Sequence, residues 1–137
     1  MTTKEQITAF LAAEFPQAKG TILEVGGRGA TVARDIGAGG LRPGGTVSGP
    51  ALVAVADFAL YVAILGEIGI VPLAVTTSLT INFLRKPAAA KRITGICKLL
   101  KLGKSLAVGE VLLYSEGLSE PVAHVVGTYS IPPRGER

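Results

Sequence analysis

The sequence predicts an α+β fold in which a curved antiparallel sheet wraps one long central helix, and three observations carry that prediction. Residues 49–66 are apolar on nearly every helical face, which marks a buried helix. Residues 75–131 hold four β-rich segments separated by short turn signals. The chain is 137 residues long, 48% hydrophobic and only 18% charged, which suits one compact core, so residues 1–137 are expected to form one domain. Disorder is excluded, because it needs low hydrophobicity and high charge. Glycine, at 18 of 137 residues, is close to twice its usual share of about 7%. So much apolar surface on so small a body predicts burial against further copies of the chain, as a homodimer or homotetramer.

The first element is an amphipathic helix within residues 1–18. Ile7, Phe10, Leu11 and Phe15 fall at helical spacing behind Thr3, with Gln6 three residues on to complete a capping box, and Pro16 closes it. From Thr21 to Ile36, Ile22 and Glu24, then Ala30, Val32 and Arg34, flank a Gly26-Gly27 turn signal and predict a hairpin. The segment Gly37 to Ser48 is a Gly-rich loop without GxGxxG and without the lysine a phosphate-binding loop would place there. Pro50 suits the first turn of the central helix, and Gly66 and Gly69 suit its end. The strands follow at Val75 to Leu84, Arg92 to Leu102, Leu106 to Ser115 and Pro121 to Ile131, and their short joints predict a four-strand meander.

Several classes fall away. The one cysteine, Cys97, forms no intrachain disulfide, and no Cys/His cluster offers a metal site, so no metal or other cofactor is expected. The first fifteen residues carry Lys4, Glu5 and Glu14 and do not read as a secretory signal. The apolar run from Ala51 to Leu65 is interrupted by Asp57 and shorter than the roughly 20 residues of a membrane span. A cytoplasmic protein that binds no membrane is the expectation.

Asp57 is the residue that points to chemistry. A carboxylate alone in an apolar helix is costly unless something satisfies it. Water or a neighbouring hydroxyl would do so without any function. The Gly-rich loop entering the helix argues for more, because free N–H groups and the positive end of the helix dipole can hold an oxyanion or carbonyl oxygen.

The run LRPGGTVSGPALVAVADFALYVA, Leu41 to Ala63, resembles the signature of the hot-dog-fold acyl-CoA thioesterases of the phenylacetate-pathway type. In that family a Gly-rich loop and a His-Gly-Gly enter the long helix and an acidic residue follows. Downstream, TTSLTINFLRKPA, KLGKSLAVGEVLLYSEG and PVAHVVGTYSIP are similar to the family's later strands, so the resemblance runs from about Thr21 to Pro132. It implies hydrolysis of an acyl-CoA to a free acid and coenzyme A. By position Asp57 is the general base or nucleophile, Gly49 supplies a carbonyl-polarising N–H, and Thr77 or Ser78 is the site hydroxyl. Ser48-Gly49-Pro50 stands where the family has His-Gly-Gly, which removes one N–H donor at Pro50. Ser48, Arg42, Arg85 and Lys86 are the substrate-binding candidates.

Eight residues separate Gly49 from Asp57, which is about 12 Å along a helix. One helix cannot bring both to one carbonyl. If they act together, the active site is shared between two subunits whose long helices pack antiparallel across a two-fold axis. Within apolar surroundings a charged Asp57 then needs a helix terminus or a hydroxyl from the partner subunit.

No acidic residue lies between Glu67 and Glu110, while Arg85, Lys86, Lys91, Arg92, Lys98, Lys101 and Lys104 do. Such a stretch reads either as a solvated rim that guards sheet edges or as an attractor for coenzyme A phosphates. With three Tyr, four Phe, no Trp and no recognised module, nucleic acid is not an expected partner. His124 reads as a structural histidine and Cys97 as a small core residue, and one histidine without a nucleophile elbow makes no Ser-His-Asp triad. Two further readings stay open: an acyl-CoA or acyl-carrier binding protein without turnover, and a hydratase or dehydratase, the latter weakened because such enzymes rely on a His-acid pair and the only histidine, His124, lies far down the chain.

Overall fold

The computed structural model describes residues 2–88 and 92–136. Helix α1, Lys4–Glu14, begins at the predicted capping box: the Gln6 N–H donates to Thr3 Oγ1 at 3.1 Å and the Thr3 N–H to Gln6 Oε1 at 2.9 Å. Its Ile7 and Leu11 are buried, and Thr2 ties the N-terminus down by donating its N–H to the Gly66 carbonyl at 3.0 Å. Strands β1, Thr21–Gly26, and β2, Gly29–Asp35, form the predicted hairpin. Gly27 and Arg28 turn the chain with φ of 59° and 62°, the left-handed pair that a two-residue hairpin loop requires.

Helix α2, Gly49–Ile68, is the central element. The Ser48 hydroxyl caps its start by accepting from the Ala51 N–H at 3.3 Å, and Gly69 ends it at φ 93°. The helix reads through Gly66 before stopping. Its twenty residues are long and apolar enough to cross a membrane, yet 72% of its most apolar window is buried inside the protein. Its apolarity is therefore used in the core, where each fully buried Leu or Val contributes about 1.5–3 kcal/mol relative to exposure.

Strands β3, Val75–Phe83, β4, Arg92–Leu102, β5, Leu106–Ser115, and β6, Ala123–Ser130, follow at nearly the predicted bounds. The six strands pair antiparallel in the order β1-β2-β4-β5-β6-β3. The expected four-strand meander is thus corrected to three strands. β4 has β2 on one side and β5 on the other, which leaves β3 to close on β6 at the far edge.

The sheet's inward rows include Ile93, Cys97, Val111, Leu113 and Val125, all buried against the helix. Two glycines set the distance between the layers. A Cβ at Gly127 would lie 2.5 Å from Leu60 Cδ1 and one at Gly109 would lie 2.7 Å from Leu60 Cδ2, so Leu60 occupies the space both leave open. That seat fixes the height of α2 over the sheet, and with it the place of Asp57 one turn earlier.

Candidate active site

Asp57 is half-buried on α2, and two hydroxyls converge on one of its carboxylate oxygens. Thr76 donates to Asp57 Oδ1 at 2.5 Å and Tyr129 to the same atom at 2.7 Å, with the Asp57 backbone carbonyl 3.2 Å from the phenol oxygen. Tyr129 is only 3% exposed and stacks on Tyr61 with ring centroids 6.1 Å apart. Burial first, and the Asp57 charge second, push the Tyr129 phenol well above its usual range, so it stays protonated and remains a donor. These hydroxyls hold Oδ1 and fix the rotamer, which leaves Oδ2 to act.

The β3 hydroxyl that meets Asp57 is thus that of Thr76, where Thr77 or Ser78 was expected. Pairing of β3 with β6 shifts register between Thr76 and Ser78, and Thr77 is the extra residue of that bulge. Thr77 donates instead to the Thr128 carbonyl at 3.3 Å. Both of these hydroxyls come from Asp57's own chain. Tyr129 was missed altogether. Its signal was its place in the inward row of β6 with Val125 and Gly127, where a tyrosine must find a partner for its hydroxyl.

Asp57 opens into a cavity of about 490 Å³, a size ordinary for a small-molecule site. Phe15, Phe58, Tyr61 and Tyr129 give it aromatic walls, and Lys19 and Arg34 add two cations. Tyr61 is fixed in turn by an edge-on contact with Phe15 and by donating to the Pro72 carbonyl at 3.3 Å.

Gly49 opens into a different cavity, of about 610 Å³, with Arg42, Phe83, Arg85 and Lys86 around it. The first turn of α2 leaves one donor there. Ala51 donates to Ser48 Oγ and Leu52 to the Ser48 carbonyl at 3.1 Å, Pro50 has no N–H, and the Gly49 N–H meets no acceptor among the described residues. A Cβ at Gly49 would lie 3.2 Å from the Phe83 ring, so glycine keeps this donor uncrowded. Ser48, expected to bind substrate, spends its hydroxyl on the helix cap. Arg42 sits in a tight loop closed by its own N–H on the Thr46 carbonyl at 2.9 Å. The Arg85 guanidinium reaches Glu120 at 3.3 Å and the Pro121 carbonyl, whereas Arg42 and Lys86 form no ion pair among the described residues. The two cavities have no lining residue in common.

The basic stretch divides in space. Arg85 and Lys86 flank the Gly49 cavity, Arg92 pairs with Asp35 at 3.4 Å, and Lys98, Lys101 and Lys104 are exposed. Lys91 lies outside the described residues. His124 Nε2 sits 3.0 Å from Glu110 Oε2, apart from both cavities, which fits a structural role. Cys97 is buried, and burial followed by the Glu110 charge pushes its thiol up to about 12.

The family model of the thioesterase superfamily matches residues 44–122, which takes in the end of the Gly-rich loop, α2 and strands β3, β4 and β5. The chain belongs to the thioesterase superfamily. As a member of that superfamily it has the hot-dog fold, a six-stranded antiparallel sheet around one long helix. Among solved structures it is 42% identical to a candidate thioesterase from a Silicibacter species, with TM-score 0.88 over 97% of this chain and 94% of that one. A single-residue variant of the phenylacetic acid degradation protein PaaI from Thermus thermophilus is 27% identical, with TM-score 0.71 over 90% of this chain and 99% of that one. A hypothetical thioesterase from Streptococcus pneumoniae, solved with coenzyme A, shares the fold at 16% identity, with TM-score 0.76 over 92% and 97% of the two chains. No curated protein sequence matches the chain.

Proposed function

We propose that this thioesterase-superfamily protein hydrolyses an acyl-CoA, with each active site assembled from Asp57 of one subunit and Gly49 of the partner subunit. The observation that carries the reading is Asp57 itself, held on one oxygen by Thr76 and Tyr129 at the wall of an aromatic cavity. In this scheme Oδ2 takes a proton from water as the water oxygen attacks the thioester carbonyl carbon. The oxyanion that forms accepts from the Gly49 N–H of the partner subunit. The C–S bond then breaks, and the coenzyme A thiolate leaves with the proton that Asp57 had taken. General base catalysis of this kind is worth roughly 10² to 10⁴ in rate, and one oxyanion donor about 10² to 10³.

Sharing follows from the separation of the two groups into different cavities, and the β3 edge offers the means. β3 is exposed along most of its length, and Leu73, Val75, Phe83 and Leu84 around it are 60%, 52%, 58% and 48% exposed. A second copy adding at that edge would extend the sheet and cover those side chains. Arg42 and Lys86 at the Gly49 cavity suit the phosphates of coenzyme A, the ligand named for the Streptococcus pneumoniae relative.

The test is release of thiol from a panel of aromatic and aliphatic acyl-CoAs by the wild type and by Asp57→Asn. A loss of roughly 10³-fold or more in the variant is the expected result. Tight acyl-CoA binding with no turnover that depends on Asp57 would replace hydrolysis by the reading as a non-catalytic acyl-CoA binder.

A further inference from the structure

Resting on the reading of the Asp57 cavity as the acyl site, we propose that the acyl group it takes carries a second acid at its far end, held by Arg34 and Lys19. The substrates would be half-thioesters of dicarboxylic acids, with an apolar body between the thioester and the free carboxylate.

Arg34 is the key residue, because of the face it occupies. Along β2 the residues facing the helix are Ala30, Val32 and then Arg34, and the first two are 5% and 0% exposed. The third position of an inward row is thus a cation, half-buried and lining the Asp57 cavity with Ala54 and Phe58 of α2. A guanidinium turned inward is costly without an anion. Among the described residues none within ion-pair distance supplies one. The adjacent acid, Asp35, is taken by Arg92 at 3.4 Å. Lys19, exposed in the segment before β1, also forms no ion pair among the described residues and lines the same cavity. Lys19 and Arg34 also border a smaller polar cleft of about 360 Å³ that runs on from the main cavity toward Arg92. The cavity therefore grades from Asp57 and the aromatic walls, through apolar surface, to two free cations.

The other basic group, at the Gly49 cavity, is already suited to the coenzyme A phosphates. A second cationic end, on the acyl side of Asp57, has no such use. An aromatic or aliphatic acyl group without charge would leave both cations unmatched, whereas a terminal carboxylate can take a bidentate pair from Arg34.

The experiment compares acyl-CoAs matched for carbon number, straight-chain against dicarboxylic half-thioesters, with wild type, Arg34→Gln and Lys19→Gln. The wild type is expected to favour the acid-ended members by roughly tenfold to a hundredfold in kcat/KM, the range of a hydrogen-bonded charged pair. Arg34→Gln brings that ratio close to one, mainly through KM, and Lys19→Gln lowers it less. Equal or better use of the uncharged members overturns the proposal. So does an Arg34→Gln defect of the same size on both series, which would assign the cations to coenzyme A or to balancing the Asp57 charge. The same pairs titrated into Asp57→Asn read the preference as binding alone. A preference there without turnover in the wild type separates a failure of hydrolysis from a failure of this proposal, and equal or absent binding overturns the proposal by itself.

Discussion

The surroundings of Asp57 and of Gly49 on α2 are built on opposite plans. At Asp57 the chain supplies everything the group needs: two hydroxyls, a stacked pair of tyrosines and an aromatic cavity. At Gly49 it supplies an N–H with no acceptor among the described residues, beside an exposed phenylalanine and the cations Arg42, Arg85 and Lys86. The first can hold a carboxylate without help, and the second has a donor that nothing among the described residues uses. On the proposed scheme the two halves complete one site only when two copies meet.

The strongest way to break that comparison is complementation. Asp57→Ala and Gly49→Pro should each abolish hydrolysis as pure proteins. Proline is tolerated in a first helical turn, and Ser48 already has the extended ψ of 157° that a residue before proline adopts, though the Phe83 ring must give slightly. When the two are unfolded and refolded together, about half the dimers are mixed and each mixed dimer has one whole site, so roughly a quarter of wild-type activity should return. No recovery in an activity assay, with mixed dimers verified by native mass spectrometry, would sink the shared site.

A smaller effect sharpens the Asp57 half. Tyr129→Phe keeps the ring and its stacking on Tyr61 and removes only the donor to Oδ1, so kcat should fall about tenfold while KM moves little. A change confined to KM or to thermal stability would make Tyr129 a packing residue only. Thr76→Val and Thr77→Val test the bulge in the same assay. Thr76→Val should cost about as much as Tyr129→Phe, and Thr77→Val should leave turnover within about twofold. The reverse order would restore the hydroxyl assignment that the sequence suggested.

Least is expected from Cys97, whose role is packing. With its thiol pushed up to about 12 in the fold against an ordinary 9.0, it stays protonated near neutrality. An alkylating probe at pH 8 should label it no faster than the protein unfolds. The folded state holds the proton more tightly than the unfolded chain. The contribution is therefore complete below about pH 9 and is lost as the pH climbs toward 12, which denaturant titrations at a series of pH values can follow. Rapid labelling of folded protein would show that this part of the core opens.

Much of this arrangement was legible in the residues. Thr3 and Gln6 announced α1, Pro50 the start of α2, and short turn signals the limits of strands, because caps and turns are local chemistry. Asp57 stood out for a similar reason, a charge where the pattern was apolar. What failed was non-local. β3 reads as the neighbour of β4 in the sequence, but both sides of β4 are occupied, and only the pairing of distant strands reveals it. The bulge that hands Asp57 to Thr76 and not to Thr77 exists only in the register of β3 on β6.

The sequence by itself determined the fold class, the buried helix and the lone acid within it, since these depend on residue type and short-range spacing. Tertiary structure alone decided which hydroxyls hold that acid, that Gly49 and Asp57 open into separate cavities, and that Arg34 turns inward beside Lys19. Those facts join residues dozens of positions apart, and no local preference encodes such a meeting. It is set by strand order and by the seat of Leu60 on Gly109 and Gly127, where one side chain fills the space that two glycines leave open.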